Sequence, residues 1–271
     1  MKPIRSISDA VLQDQRHAEA GWPAGHLLRL RHMAPTARML RARTGTMVLN
    51  LMRGAARFLR SFPGRLRGRE SVFTHIYTTN GWRNPESVSG DGSTLRETRV
   101  ARQVVPAIIA RYGLRVLLDI PCGDCNWMRA IDFGGRTYIG ADIVADLVNR
   151  NQRTFGTPHR RFVHCDVVRD PLPPSDLVLC RDCMIHLSNA EVLEALRNIR
   201  RSGARYLLAT TYNARPRNVD IITGDWRAIN LQAPPFRLPQ PIELINEEWN
   251  WADGYHADKC LALWETSVLP V

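Results

Sequence analysis

The sequence predicts an α/β fold, in which a doubly wound, mostly parallel β-sheet follows a basic, partly helical amino-terminal extension. Three observations support this prediction. Short apolar runs without charges recur along the chain, as in strands buried on both faces of a sheet. Helical patterns separate those runs, as in alternating β and α units. The first two runs end in Asp119 and Asp142, on either side of a tight turn into a helix.

The amino-terminal extension, residues 1–70, carries the net charge of the chain. The formal charge of +11 comes from residues 1–69, which hold fourteen basic and three acidic side chains, whereas the rest of the chain is neutral. Residues 36–62 alternate apolar side chains with arginine in a helical pattern. A basic amphipathic helix favours an anionic membrane surface or nucleic acid, so residues 36–69 are expected to offer such a peripheral contact. A solvated helix packed on the domain, or a misplaced start codon, is the alternative.

The cysteines and the hydropathy pattern bear on the compartment. Six cysteines lie in or beside predicted strands, and the chain shows no secretory signal. Reduced thiols in a cytoplasmic protein are the natural interpretation. No apolar run approaches the ~18 residues of a membrane-spanning helix. The prediction is therefore a cytoplasmic protein without a transmembrane span, peripheral to a membrane if the extension binds one.

Residues 71–271 are predicted to form the folded domain, which opens with a loop and a helix. Residues 86–94 are rich in Gly and Ser, which indicates a loop, and this loop is a candidate ligand contact. Thr94 and Glu97 have the spacing of a capping box, which predicts a helix from about Leu95 toward Arg111. Pro106 is expected to kink or end that helix.

The sheet is predicted over residues 113–212, with a closing pair of strands near the carboxyl terminus. The predicted strands are 116–119, 137–141, 161–165, 176–180, 206–210, 242–245 and 261–264. Helices are predicted at 125–131, at 144–155 and after Ser188, which has the capping-box spacing to Glu191.

The first two strand ends indicate the kind of ligand. Open α/β sheets bind ligands at the carboxyl ends of their strands, where the strand order reverses. Only Gly123 remains of the G-x-G-x-x-G pattern, so the turn is poorly suited to the close backbone approach that a pyrophosphate needs. Asp142 follows Gly123 by 19 residues, near the spacing at which a carboxylate binds ribose hydroxyls. Asp119 and Asp124 would attract a cation. S-adenosylmethionine matches these features, because it combines adenosine with a sulfonium and an amino group and has no phosphate.

Residues 116–142 resemble the first two motifs of the class I S-adenosylmethionine-dependent methyltransferases. The family pattern D-x-G-x-G-x-G reads D-I-P-C-G-D-C here, with Pro121 and Cys125 in place of two glycines. The resemblance runs from about residue 71 to the end and is strongest over 113–213. It implies a Rossmann-like fold with a seven-stranded sheet and helices on both faces, S-adenosylmethionine as cofactor, and Asp166 beside the adenine amino group. The predicted cofactor-binding residues are Asp119, Pro121, Cys122, Gly123, Asp124, Trp127, Asp142, Ile143, Asp166, Val167 and Arg181.

The residues after the fourth strand are the candidates for catalysis. In a doubly wound sheet the first and fourth strands are neighbours at the switch point, so Arg181, Asp182 and His186 are expected to overlook the methyl donor. Asp182 would orient an acceptor hydroxyl and His186 would take its proton, since histidine is a suitable base near neutral pH. The alternatives are that Asp182 only caps a helix terminus and that His186 is a core residue whose hydrogen bonds are made within the protein.

Residues 213–241 are predicted to be a long loop on the substrate side. Such loops in compact domains are usually functional. Asp225, Trp226 and Asn230 place a carboxylate and an amide beside an aromatic ring, a combination typical of carbohydrate sites, and they are the predicted substrate-binding residues. The alternative for Trp226 is that it covers the core.

Two C-x-x-C pairs, Cys122/Cys125 and Cys180/Cys183, raise a zinc site as an alternative. Both pairs lie where the methionine end of the cofactor is expected, so small apolar packing by cysteine is preferred and no metal is predicted.

The predicted function is S-adenosylmethionine-dependent methylation of an oxygen of a small molecule or glycan. RNA or protein methylation anchored by the basic extension is the first alternative. A catalytically silent protein that only binds the cofactor is the second.

Overall fold

The structure, a computed structural model, describes residues 68–249 and 254–270. Within these residues, seven strands form one sheet in the order β3-β2-β1-β4-β5-β7-β6. The strands are β1 Val116–Asp119, β2 Thr137–Asp142, β3 Arg160–His164, β4 Leu177–Cys180, β5 Tyr206–Tyr212, β6 Glu243–Asn246 and β7 Lys259–Glu265. Strands β3, β2, β1, β4 and β5 pair in parallel, and β7 pairs antiparallel with both β5 and β6. The predicted sheet, with its antiparallel closing pair, is confirmed.

The strand order reverses between β1 and β4. β2 and β3 extend the sheet on one side of β1. The chain then crosses to the other side of β1, where β4 and β5 follow. Leu117 pairs with Leu177 and Asp119 with Leu179, so β1 and β4 are neighbours along their whole length. Their residues are apolar because both faces are covered, and β4 is buried throughout. This is the predicted switch point, and it puts the ends of β1 and β4 side by side.

Four α-helices are described: α1 Arg69–Thr78, α2 Arg99–Arg111, α3 Ala145–Phe155 and α4 Asn189–Arg201. Short 3₁₀ turns occupy Asp91–Ser93, Met128–Ala130, Met184–His186 and Thr266–Val268. The predicted helix at 125–131 is wrong in extent, since only its centre forms a 3₁₀ turn. The basic helix expected within residues 36–62 lies outside the described residues, and the division of the chain at residue 70 stays a prediction.

Helix α2 begins later than its capping-box pattern predicts. The Glu97 N–H donates to Thr94 Oγ1 at 3.3 Å, but this bond closes a turn before the helix, which starts at Arg99. Pro106 lies inside α2 and does not end it.

The apolar core fixes the helices to the sheet. One cluster joins the buried face of α4, for example Val192 and Leu196, to Leu118 of β1, Val178 of β4 and Trp264 of β7. The buried residues of α2 and α3 lie outside that cluster, as expected when helices cover the two opposite faces of a sheet. Among the described residues, none of the helices has the length and apolar character that crossing a membrane requires.

Helix α4 starts with the predicted capping box. Ser188 is the N-cap: its Oγ accepts from the Glu191 N–H, and the Glu191 carboxylate accepts from the Ser188 N–H, both at 3.3 Å. The box satisfies two of the backbone N–H groups that every helix start leaves unpaired.

We expect Ser188→Ala to lower the free energy of unfolding by about 1 kcal/mol, because an N-cap hydroxyl is lost. Urea denaturation followed by circular dichroism measures the change. Ser71→Ala is the matched control, since Ser71 is an exposed residue within α1. Equal stability of the two variants would contradict the assignment.

Candidate active site

A cleft lies at the carboxyl ends of β1, β2, β3 and β4. Its empty space, including solvent at the open mouth, is about 1060 Å³. Its floor is made of strand ends and the turns that follow them. Its roof is made of α1 and the loop after it.

The turn after β1 is shaped by Gly123. This residue has φ +52, and a Cβ there would lie 2.3 Å from Ser89 Oγ, so both the backbone angle and the space favour glycine. The Ser89 hydroxyl accepts from the Asp124 N–H at 2.9 Å. The Asp124 carboxylate accepts from the Ser87 hydroxyl at 2.9 Å and from the Val88 N–H at 3.1 Å. The turn and the loop 87–89 are therefore tied together.

Asp124 itself is not part of the cleft wall. Its carboxylate is nearly buried and is directed at the loop 87–89. Its predicted contact with the cofactor stays a prediction, and the structure gives it a different task, which is to hold the loop over the turn.

Asp142 ends β2 in the cleft floor. Its two carboxylate oxygens accept from the Gly123 N–H at 3.1 Å and from the Val144 N–H at 3.0 Å. Burial raises the pKa of Asp142 to about 6, although the backbone donors act against that rise. Each oxygen keeps a second lone pair, so the side chain is oriented by the backbone and still able to accept from a pair of hydroxyls.

Asp119 ends β1 beside Asp142. It is 3% exposed, and its Oδ2 accepts from the Tyr138 hydroxyl at 2.7 Å. Burial raises the pKa of Asp119 to about 7; Tyr138 and Arg181 lower it, while the charge of Asp142 raises it further. Two nearly buried carboxylates thus stand at neighbouring strand ends, and a cation between them would relieve their desolvation.

Asp166 follows β3 and lies in the cleft wall. Its Oδ2 accepts from Arg69 Nη2 at 2.6 Å, and Arg69 Nη1 also donates to Glu191 Oε1 at 2.8 Å. Arg69 therefore connects α1 to the end of β3 and to the start of α4. This ion pair of Asp166 was not expected from the sequence, because 97 residues separate the two side chains.

The roof of the cleft consists of Phe73, Ile76 and Tyr77 of α1, with Trp82 after it. Helix α1 has no fully buried residue, so its apolar side chains face the cleft and the adjoining core edge. The Trp82 ring lies 4.5 Å from the His186 ring, centroid to centroid. No sequence motif marks these roof residues; the signal was only a group of apolar residues before a Gly- and Ser-rich loop.

Arg181 and Asp182 belong to a network of buried charges. Arg181 Nε donates to Glu247 Oε1 at 2.7 Å, and Arg181 Nη1 lies 3.1 Å from Asp182 Oδ2. Lys259 Nζ donates to Asp182 Oδ2 at 2.7 Å and lies 3.1 Å from Glu247 Oε2. Glu247 directly follows β6 and Lys259 begins β7. Both are far away in sequence and were missed for that reason.

The ion pairs of this network determine the protonation state of Asp182. Burial acts to raise the pKa of Asp182, but Lys259 and Arg181 outweigh it and hold this pKa well below its usual range. Its Oδ1 also accepts from the Thr210 hydroxyl at 3.1 Å. Asp182 therefore stays ionised at neutral pH. It is suited to accept a hydrogen bond and poorly suited to take a proton.

His186 lies in the cleft wall at the end of the 3₁₀ turn after β4. Its Nδ1 lies 2.9 Å from the Asp225 carbonyl oxygen. Because a carbonyl only accepts, Nδ1 carries the hydrogen and Nε2 carries the lone pair. Burial lowers the pKa of His186 to about 4, while the Asp225 carbonyl acts in the opposite direction. The ring is therefore neutral at pH 7.

The predicted substrate-binding residues lie outside the cleft wall. The Asp225 backbone holds His186, and Trp226 packs edge-on against Tyr212 at 6.3 Å. The Asn230 amide donates to the carbonyl oxygens of Asn213 and Arg215 and accepts from the Gln232 N–H, so it is occupied within its own loop. Asp225, Trp226 and Asn230 stay predictions as acceptor contacts.

All six cysteines are free and buried. Burial raises the pKa of the Cys122 and Cys125 thiols, which keeps them protonated. Among the residues that the structure describes, no group of three or more His, Cys, Asp or Glu side chains is arranged to hold a metal ion.

The cleft brings together most of the residues predicted at distant points of the sequence. Its lining includes Asp119, Pro121, Cys122, Gly123, Trp127, Asp142, Ile143, Asp166, Val167, Arg181, Asp182 and His186. Ser89 and Ser93 of the candidate loop also line it.

Comparison with protein families gives a match over residues 117–204 to a model described as a methyltransferase domain. The matched residues run from β1 through α4 and so contain the strand ends that form the cleft floor. The match shows that this segment is similar to a methyltransferase domain.

Solved structures with the same fold include two methyltransferases. One is the N-methyltransferase NodS from Bradyrhizobium japonicum WM9 in complex with S-adenosyl-L-homocysteine, with 14% identity, a TM-score of 0.51, and coverage of 70% of this chain and 97% of that chain. The other is magnesium protoporphyrin IX methyltransferase (ChlM) from Synechocystis PCC 6803 with bound S-adenosylmethionine, with 15% identity, a TM-score of 0.53, and coverage of 73% and 97%. At such low identity these similarities show the fold alone. The search of curated proteins finds no match.

The raised pKa values predict how cofactor binding depends on pH. Asp119 and Asp142 are protonated well below pH 6 and ionised above pH 7, and only the ionised forms attract a cation. We expect the dissociation constant of S-adenosylmethionine, measured by calorimetry, to fall about tenfold between pH 5.5 and 7.5. Asp119→Asn should flatten this dependence. A constant affinity over this range in the wild type would contradict the role of the two carboxylates.

The same pKa shift predicts that Asp119→Asn stabilises the ligand-free protein. A carboxyl whose pKa is higher in the folded state than in the unfolded state loses its stabilising effect as pH rises through the folded value. We therefore expect the variant to melt several degrees above the wild type at pH 8, with the difference shrinking as pH falls from about 7 and vanishing only below about pH 4. Asp132→Asn, at an exposed position, should change the melting temperature little. A lower melting temperature for Asp119→Asn at pH 8 would contradict this account.

Proposed function

We propose that the protein transfers the methyl group of S-adenosylmethionine to an oxygen atom of a small molecule or glycan. The observation that carries this proposal is the position of His186 in the cleft wall, where the Asp225 carbonyl oxygen holds Nδ1 and leaves the lone pair on Nε2 for a hydroxyl proton. The cofactor, when bound, supplies an electrophilic methyl group and leaves as S-adenosylhomocysteine.

The cleft has the chemistry that this cofactor needs. Asp142 presents a backbone-oriented carboxylate for the ribose hydroxyls. Asp119 presents negative charge next to it, which suits a sulfonium or an amino group. Trp127, Ile143 and Val167 supply apolar wall.

Asp182 and His186 have different roles toward the acceptor: Asp182 orients it and His186 takes its proton. Asp182 stays ionised, so it accepts a hydrogen bond from an acceptor hydroxyl and orients it. His186 receives the proton at Nε2, and the Asp225 carbonyl on Nδ1 supports the imidazolium that forms. Trp82 lies against the His186 ring and restricts its movement. Methyl transfer is a direct displacement, so positioning of this kind provides much of the rate.

The long loop is proposed to form the outer part of the acceptor site. Trp226 is half-buried, and Tyr255, 44% exposed, lies 5.7 Å from it. The backbone of Arg227 donates to the Ile185 carbonyl oxygen, so this loop is attached directly to the turn that carries His186. An aromatic pair at this position is suited to the apolar face of a sugar.

We expect His186→Gln to lower kcat about 100-fold, as removal of a general base does, with little change in cofactor affinity. The acceptor is first obtained from cell extract with labelled methyl donor, and kcat is then measured on the purified acceptor. His159→Gln, at an exposed position outside the cleft, is the matched control. Since the pKa of His186 is about 4, kcat of the wild type should show no ionisation near pH 6.5. Full activity of His186→Gln would contradict its role as base.

A further inference from the structure

The side chain of Arg227, in the long loop 213–241, is buried against the turn that carries His186. Its Nη1 donates to the Leu187 carbonyl oxygen at 2.6 Å, and its Nη2 donates to Asn189 Oδ1 at 3.0 Å. Its backbone N–H donates to the Ile185 carbonyl oxygen at 3.1 Å. Arg227 therefore holds the turn 185–189 on both sides of His186.

The neighbours of Arg227 in the loop hold the same turn at His186 itself. The Gly224 N–H donates to the His186 carbonyl oxygen at 2.9 Å, and the Asp225 carbonyl oxygen lies 2.9 Å from His186 Nδ1. These partners are neutral backbone groups, whereas the two side-chain contacts of Arg227 come from a charged donor, which forms the stronger hydrogen bonds. Arg227 is thus a major attachment of the turn to the loop.

The burial of Arg227 is costly for the folded chain. A buried guanidinium needs an anion or several hydrogen bonds to compensate its desolvation. Arg227 is 6% exposed and forms no ion pair among the described residues, although the charge of Asp220 acts on it; burial lowers the pKa of Arg227 to about 10. The hydrogen bonds to the turn 185–189 are therefore the contacts that oppose this cost.

The charge of Arg227 does not help His186 to act as a base. Among the charged groups that act on the His186 ring, Asp182 favours the imidazolium, whereas Arg227 and Lys259 oppose it. Trp82, the roof side chain next to the ring, is uncharged. If Arg227 acted through its charge, its removal would make His186 a stronger base and speed proton transfer. If it acts through its hydrogen bonds, its removal would slow the reaction.

We propose that Arg227 is a positioning residue for the base of the proposed function, on which this inference rests. Its two side-chain hydrogen bonds fix the turn 185–189 on the long loop and so hold His186 in the cleft wall. Arginine is suited to this task, because its planar guanidinium binds two acceptors in a fixed geometry. Arg227 does not line the cleft, so it acts through His186.

We expect Arg227→Met to raise the pKa of His186 by about one pH unit and yet to lower kcat about tenfold, because the ring is no longer held in place. NMR titration of the imidazole, without any acceptor, measures the first effect. Turnover of the acceptor obtained from cell extract measures the second, and the KM of the cofactor should not change. Arg217→Met is the matched control, since Arg217 is an exposed arginine of the same loop, and it should change neither quantity.

Two milder variants keep the test open if Arg227→Met does not fold. Arg227→Lys keeps the charge, but one ammonium group cannot bind Leu187 and Asn189 in the same geometry. We expect it to leave the pKa of His186 unchanged and still to lower kcat. Asn189→Ala removes only the acceptor of Nη2 and should lower kcat to a smaller extent.

Combination with His186→Gln separates positioning from a general structural role. Arg227→Met should lower kcat less than about twofold once His186 is glutamine, since the two changes remove the same function. Additive losses would overturn the proposal, as would full kcat in Arg227→Met or in Arg227→Lys. Full activity of His186→Gln would contradict the proposed function and this inference together, whereas a slow His186→Gln beside a fully active Arg227→Met would contradict this inference alone.

Discussion

The site depends on one electrostatic constraint, the burial of two carboxylates at neighbouring strand ends. Asp119 and Asp142 are held by a tyrosine hydroxyl and by backbone N–H groups, all neutral donors. These donors orient the carboxylates but do not neutralise them, and neither carboxylate forms an ion pair with a cation of the described residues, so a cationic ligand would balance their charge. The cleft is therefore less favourable for the free protein than for the complex, as expected where a fold gives up stability for function.

The opposite arrangement is found one strand further along. Asp182 is also nearly enclosed, but Lys259 and Arg181 pair with it, and its carboxylate is therefore stable as an anion without any ligand. Carboxylates of the same chemistry thus have opposite pKa shifts, because cations pair directly with Asp182, whereas the hydrogen-bond donors to Asp119 and Asp142 are neutral. This contrast is the basis on which we propose Asp119 and Asp142 for the cofactor's positive charge and Asp182 for orienting an acceptor.

The sequence predicted the sheet well because its signals are local. Charge-free runs such as 116–119 and 177–180 describe strands that are buried on both faces, and the Ser188 capping box describes a helix start within four residues. Asp119 and Asp142 could be found because each directly follows a strand. Arg69, Glu247 and Lys259 could not, since their partners are brought near by the topology of the sheet and the sequence holds no local pattern for such contacts. The start of α2 was misjudged because the Thr94–Glu97 bond closes a turn that the following residues do not continue as a helix.

The contact between Gly123 and Ser89 links two parts of the chain that are 34 residues apart. A side chain at position 123 would displace the hydroxyl that fixes the Asp124 backbone, and the loop 87–89 would then lose its attachment to the turn. The two positions therefore constrain each other during sequence divergence: a side chain at 123 needs a smaller residue at 89, and must also tolerate the left-handed backbone of the turn. Relatives that keep a glycine at 123 can keep serine at 89, and a paired change at these positions would mark a lineage in which the floor and the rim of the cleft had been rebuilt together.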